Sequence, residues 1–255
     1  MALTDLRPRP CARRRMNMYY LIDTSGSMNH NGCIQSVNEA MPEIVEILRD
    51  VTAGNKDYGD IYLQCIAFSD TARLIDPVPV SAADYSWDTL EAYGLTNLAG
   101  AFELLDSRMR DTATEGGSCL RPAVVLLSDG DPDEGWEEAL ERLRDNPMFR
   151  DAYRIAIAIG ASPANVAMRR ALTGFADSGT SVPNIISVTD LSRLTDVIRM
   201  VSATVSRIGS RTAGSNGGAK GDPVAEAVHK ALAGGVEPID GVDIPAIGPD
   251  SDFWD

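Results

Sequence analysis

The sequence predicts an α/β fold built on a mostly parallel sheet. Three observations carry that expectation. Apolar runs of strand length alternate with segments whose apolar residues recur every three or four positions. One run, Ala123–Leu127, is apolar without a break, as in a central strand covered on both faces. Polar turns follow two of the strand ends, where open α/β sheets hold their ligands.

The elements follow in order. Met16–Ile22 reads as a buried strand. Ile34, Val37, Met41, Ile44, Leu48 and Val51 then mark a helix that Pro42 interrupts and is expected to kink. Asp60–Ser69 is a second strand, with Ile61, Leu63, Cys65 and Ala67 alternating. Ala72–Ile75 reads as its antiparallel hairpin partner across a Ser69-Asp70 turn. Leu98, Ala101, Phe102, Leu105 and Met109 mark the next helix, before the Ala123–Leu127 strand.

Trp136, Ala139, Leu140 and Leu143 mark a helix ending near Asn146-Pro147, and Tyr153–Gly160 is a strand. Ser162-Pro163 has the form of a helix start, proline being favoured at the first helical position. Asn184–Val188 is the last strand. Asp190 is expected to cap a helix with an apolar face of Leu191, Leu194, Ile198, Val201 and Val205.

Composition bounds the function. The chain has 255 residues, 44% of them hydrophobic, enough for one sizeable core plus tails. Its formal net charge of −14 argues against nucleic acid or an anionic membrane as partner, because both require positive surface. A metal site or a basic protein partner is compatible with it. No apolar run approaches membrane-spanning length, and no apolar h-region precedes the first strand as a secretory signal requires. Cys11, Cys33, Cys65 and Cys119 form no CxxC pair, so reduced thiols in the cytoplasm are the expectation. With only His30 and His229, a His-based zinc site or a Ser-His-Asp hydrolase is poorly supported.

Three regions are expected: a basic arm over 1–15, a domain over 16–208, and a flexible linker with an acidic tail over 209–255. The arginines of the arm, Arg15 among them, read as solvated.

Asp23-Thr24-Ser25-Gly26-Ser27 follows the first strand and offers one carboxylate and two hydroxyls. Thr96 in Gly94-Leu95-Thr96-Asn97-Leu98, and Asp129 in Leu127-Ser128-Asp129-Gly130, supply the same chemistry from distant segments. An all-oxygen set with few carboxylates suits a hard divalent cation such as Mg²⁺.

Together these three motifs resemble the metal-ion-dependent adhesion site of von Willebrand factor A domains, over roughly residues 16–207. The resemblance implies a Rossmann-like fold, with one antiparallel edge strand on a mostly parallel sheet and helices on both faces. It also implies that Ser25, Ser27 and Thr96 hold Mg²⁺ through their hydroxyls, with Mn²⁺ or Ca²⁺ as alternatives. Asp23 and Asp129 would act mainly through water. An open coordination position would accept a partner's Asp or Glu, making the site a clasp for proteins and the chain not an enzyme. Ser128-Asp129-Gly130-Asp131-Pro132, with Trp136 and the Ile155–Gly160 strand, further resembles the TerY-like branch. That branch implies a bacterial, cytoplasmic stress or tellurite-resistance complex, with a protein kinase, a protein phosphatase or other tellurite-resistance proteins as partners. Asp133-Glu134 departs from the branch's usual Thr-Asp, and the tail lacks zinc-ribbon cysteines.

Each motif has a structural alternative. Asp23–Ser27 could be a helix-capping turn, Thr96 a cap for the Leu98 helix, and Asp129 an ordinary strand-end acid. Asp129, Asp131 and Asp133 imitate the start of a calcium loop, but Glu134 and Leu140 stand where that loop needs Gly and Glu. Asp131 and Asp133 are expected to begin the Trp136 helix, where acids complement its dipole. Asp23 could be a phosphatase nucleophile, although Ser25 stands where a second acid is needed. Finally, tail acids such as Asp250 and Asp252, anchored by Phe253 and Trp254, could occupy the site as an autoinhibitor.

Overall fold

The computed structural model describes residues 14–53, 59–114, 119–159, 166–177, 185–188 and 194–209. The Ser162-Pro163 helix start, Asn184, the Asp190 cap, Leu191, Cys11 and the acidic tail fall outside them.

The strands are β1 (Arg15–Asp23), β2 (Asp60–Phe68), β3 (Ala72–Leu74), β4 (Val80–Ser81), β5 (Ala123–Ser128), β6 (Tyr153–Ile159) and β7 (Ile185–Val188). They form one sheet in the order β3-β2-β1-β5-β6-β7. All pairs from β2 to β7 are parallel. The expected antiparallel edge strand is β3, and β4 adds a second short antiparallel segment along β2.

The helices are α1 (Cys33–Ala53), α2 (Leu98–Thr114), α3 (Trp136–Arg144), α4 (Pro147–Asp151), α5 (Val166–Ala176) and α6 (Leu194–Gly209). A 3₁₀ segment, Gly26–Gly32, leads into α1, which continues as one element through Pro42. Asn146 does not merely end α3. It caps α4, its side-chain oxygen accepting from Met148 N at 2.9 Å, with Pro147 at the first position.

Period-two alternation along β1 sends Met16, Met18, Tyr20 and Ile22 to one face and Tyr19 and Leu21 to the other. The first face is covered by α1 and α6, the second by α2 to α5. Central strands apolar on both faces are what such double cover requires. Each fully buried aliphatic or aromatic side chain of this kind contributes about 1.5–3 kcal/mol from apolar area removed from water. The buried Tyr20 hydroxyl donates to Ser202 Oγ at 2.8 Å, joining β1 to α6. Left unpaired, such a group would cost about 1–3 kcal/mol.

One boundary differs from the sequence reading. Arg15 is not a solvated arm residue but the first residue of β1, in register with Asp60. Its Nε donates to Asn17 Oδ1 at 2.6 Å, and its guanidinium lies 4.1 Å from the Tyr62 ring centre. A stacked arginine can sit at the start of a central strand because its planar, weakly hydrated head loses little there.

Candidate metal centre

β1 and β5 are adjacent parallel strands, so their carboxyl ends lie side by side. That brings Asp23, the last residue of β1, next to Ser128 and Asp129 at the end of β5. Ser128 Oγ donates to Asp23 Oδ2 at 2.6 Å, and Ser25 N donates to Asp23 Oδ1 at 2.8 Å. Ser27 Oγ donates to Asp129 Oδ1 at 2.7 Å and lies 3.0 Å from Ser25 Oγ. The turn after β1 and the turn after β5 are thus knitted through hydroxyl and carboxylate oxygens.

Thr96 joins from the loop before α2. A side chain added at Gly130 would place its Cβ 3.2 Å from Ser27 Oγ and 3.7 Å from Thr96 Oγ1, so both hydroxyls face the same glycine. The Thr96 loop is fixed by its backbone. Gly26 N donates to Gly94 O, Tyr93 N to Thr24 O, and Asp133 N to Thr96 O, all within 3.0 Å. Gly94 has φ +77°, and a Cβ there would fall 2.5 Å from Asp70 Oδ1, so the loop needs glycine. All five residues singled out in the sequence, Asp23, Ser25, Ser27, Thr96 and Asp129, therefore lie at one edge of the sheet.

The capping alternatives fail on geometry. Ser25 precedes the 3₁₀ segment but its side chain makes no capping hydrogen bond. Asn97, not Thr96, caps α2, its Oδ1 accepting from Gly100 N at 2.8 Å. Asp131 and Asp133 do not start α3, whose first turn carries Glu137 and Glu138 instead. Asp131 Oδ1 accepts from Met168 N in the first turn of α5, a site equally favourable for an anion.

Asp23, Ser25 and Thr96 are buried, whereas Ser27 and Asp129 are half-buried and form the opening. Burial pushes the Asp23 carboxyl up to about 6, against the opposing effect of its bonds to Ser128 and Ser25. Nearby Asp129 raises it further. Burial also raises Asp129, offset mainly by the Ser27 hydroxyl. Neither acid enters an ion pair among the described residues.

Two neighbouring carboxylates outside any ion pair, with only His30 acting as a nearby positive charge on Asp129, stand beside three convergent hydroxyls and fit a small divalent cation. The cation would supply the missing charge, and the hydroxyls need only rotate to turn lone pairs toward it. No group of three or more His, Cys, Asp or Glu that could hold a metal ion occurs among the described residues; the oxygens gathered here are three hydroxyls and two carboxylates. Sequence reasoning overlooked Ser128, Gly130 and Asn97. The first two sit inside the motif that named Asp129, but their roles depend on contacts with β1 and the Thr96 loop.

No protein-family model matches the chain, and no curated protein matches its sequence. Solved structures do match. A von Willebrand factor type A protein from Catenulispora acidiphila aligns with TM-score 0.55 at 18% identity, over 76% of this chain and 43% of that one. The pilus adhesin SpaC of Lactobacillus rhamnosus GG gives TM-score 0.60 at 10% identity, over 78% of this chain and 32% of that one. Proximal thread matrix protein 1 of the mussel byssus, solved with a zinc-occupied metal-ion-dependent adhesion site, gives 0.53 at 18% identity, over 77% and 46%. The chain spans between about a third and a half of the length of these proteins. At such identities the likeness establishes the fold: a Rossmann-like von Willebrand factor A fold, with a mostly parallel sheet between two helical layers.

Proposed function

We propose that this chain is a divalent-cation-dependent protein-binding module. Ser25, Ser27 and Thr96 would hold Mg²⁺ directly, and Asp23 and Asp129 through water. The observation that carries this is the Ser27 hydroxyl, which lies within hydrogen-bond distance of both Ser25 Oγ and Asp129 Oδ1 at the half-buried mouth of the site. A cation held mainly by neutral hydroxyls keeps its positive charge, so a partner's Asp or Glu completes its coordination. The mussel protein with zinc in the corresponding type of site supports a metal, and the pilus adhesin supports a binding role. Mn²⁺, Ca²⁺ or Zn²⁺ would occupy the same oxygen cage with different affinity.

The phosphatase alternative is disfavoured by burial. Asp23 has no exposed surface, and both carboxylate oxygens already accept hydrogen bonds. A nucleophile must be reached by the incoming phosphorus, and a carboxylate with no exposed surface is not.

The finer reading is a TerY-like protein in a cytoplasmic stress or tellurite-resistance complex, with a kinase, a phosphatase or another protein of that system as partner. Its support is the stretch Ser128-Asp129-Gly130-Asp131-Pro132 together with Trp136. Cys33, Cys65 and Cys119 are all free thiols, which is compatible with a reducing compartment. No helix among the described residues is long and apolar enough to cross a membrane.

The test is capture of partners from a native lysate with Mg²⁺ and with EDTA, using the full chain and its Asp23→Ala and Thr96→Ala variants. The proposal expects partners that leave with the metal and are missing from both variants. The same partners retained in EDTA and on both variants would overturn it.

A further inference from the structure

Four large hydrophobic side chains stand out as exposed among the described residues: Val78 at 58%, Tyr93 at 55%, Leu95 at 63% and Val166 at 62%. Three of the four border the metal edge. Tyr93 and Leu95 flank Gly94 in the loop that delivers Thr96. Val166 begins α5, whose first turn is tied to the site through the Met168 N bond to Asp131. Isolated exposed apolar residues are ordinary, but a concentration of them at one site marks a surface that another molecule covers.

The Tyr93–Leu95 loop is rigid where it matters. Tyr93 N donates to Thr24 O at 2.8 Å and Gly94 O accepts from Gly26 N at 3.0 Å. Leu95 N donates to Asp70 Oδ1 at 2.9 Å. Both apolar side chains are thus presented on a backbone fixed to the metal-binding turn, and a partner would lose little freedom in ordering them. The same rim carries exposed acids: Asp70 beside Leu95, and Asp131 and Glu134 after Gly130. With the chain's net charge of −14, this rim attracts positive charge and repels a generally acidic partner.

Resting on the proposed clasp, we infer that its partner is a protein segment with one carboxylate set among apolar and basic residues. The carboxylate meets the cation. An adjacent aliphatic or aromatic side chain covers Tyr93 and Leu95. Lys or Arg on either side answers Asp70, Asp131 and Glu134. The acidic rim therefore acts as a filter: it rejects runs of acids that would otherwise compete for the metal.

The test selects displayed random dodecapeptides on the full chain in Mg²⁺ and elutes them with EDTA. Selected peptides are then titrated against wild type, the double variant Tyr93→Ser/Leu95→Ser, and Val78→Ser as a remote exposed control. The expected peptides carry one Asp or Glu with apolar and basic neighbours. They should weaken at least about tenfold on the double variant and stay unchanged on Val78→Ser, with Mg²⁺ affinity preserved in both. EDTA-eluted peptides that contain an acid but no apolar or basic enrichment would overturn the rim inference and leave the clasp standing. The same follows if the double variant binds them as well as wild type. Failure to elute any acid-bearing peptide with EDTA would overturn both.

Discussion

Ser128 Oγ donates to Asp23 Oδ2 across 2.6 Å, tying the end of β5 to the end of β1 beneath the candidate metal centre. The bond holds Asp23 in place and favours its charged form in a site whose burial favours the neutral one. Ser128→Ala should therefore raise the Asp23 pKa further. It should also lower stability by about 1–3 kcal/mol at neutral pH, because a buried carboxylate oxygen loses its donor. Urea denaturation of metal-free protein measures the loss, and Mg²⁺ calorimetry should show weaker binding.

Thr96 and Asn97 are neighbours with separable roles. Asn97 caps α2 through Gly100 N, so Asn97→Ala should cost about 1 kcal/mol of stability. Thr96→Ala should leave metal-free stability nearly unchanged and abolish the stabilisation that Mg²⁺ confers. Thermal denaturation of both variants with Mg²⁺ and with EDTA distinguishes the two effects. Equal Mg²⁺ stabilisation in Thr96→Ala and wild type would remove Thr96 from the site.

The pH dependence follows from the raised acids. Asp23 titrates at about 6 in the metal-free fold, against an ordinary 3.8. Between those values the native state retains a proton that the unfolded chain has released. Metal-free stability should therefore be highest on the acid side of this window and fall as pH rises through it, by on the order of 3 kcal/mol. The raised pKa of Asp129 acts in the same direction. A cation competes with these protons, so Mg²⁺ stabilisation should be large above pH 6 and fade below it. Denaturation midpoints across pH, with Mg²⁺ and with EDTA, should diverge toward the alkaline side.

Gly130→Ala tests the space between the hydroxyls. Its new Cβ would lie 3.2 Å from Ser27 Oγ, close enough to displace that hydroxyl. Gly130 is not among the glycines with positive φ, so the backbone accepts alanine. Mg²⁺ affinity should fall with little change in metal-free stability. A calorimetric titration matching wild type would show that the cation does not sit between Ser27 and Thr96.

The fold was legible because its signals are local. Doubly buried strands such as Ala123–Leu127 and the three- and four-residue spacing along α1 both follow from backbone period and burial. Short elements were not legible. β4 has two residues and no pattern of its own, being defined only by its pairing with Tyr62 and Leu63. The candidate donors were readable because each motif ends a strand or opens a helix. What sequence could not supply was the division of labour between neighbours. Asn97 rather than Thr96 caps α2, Asp131 serves α5 rather than α3, and Ser128 supplies the donor to Asp23 Oδ2. The last two depend on contacts between segments dozens of residues apart, and the first on which of two adjacent side chains reaches Gly100 N. The exposed Tyr93 and Leu95 were hidden for the same reason, since apolar residues in sequence read equally well as core.

The central claim is that a divalent cation sits among Ser25, Ser27 and Thr96. Anomalous diffraction from crystals soaked in Mn²⁺ tests it most directly. One strong peak is expected within coordination distance of all three hydroxyl oxygens, with Asp23 and Asp129 one water further out, and no peak in Ser27→Ala crystals. A Mn²⁺ peak elsewhere with this edge of the sheet empty, or one that persists there in Ser27→Ala, would contradict it.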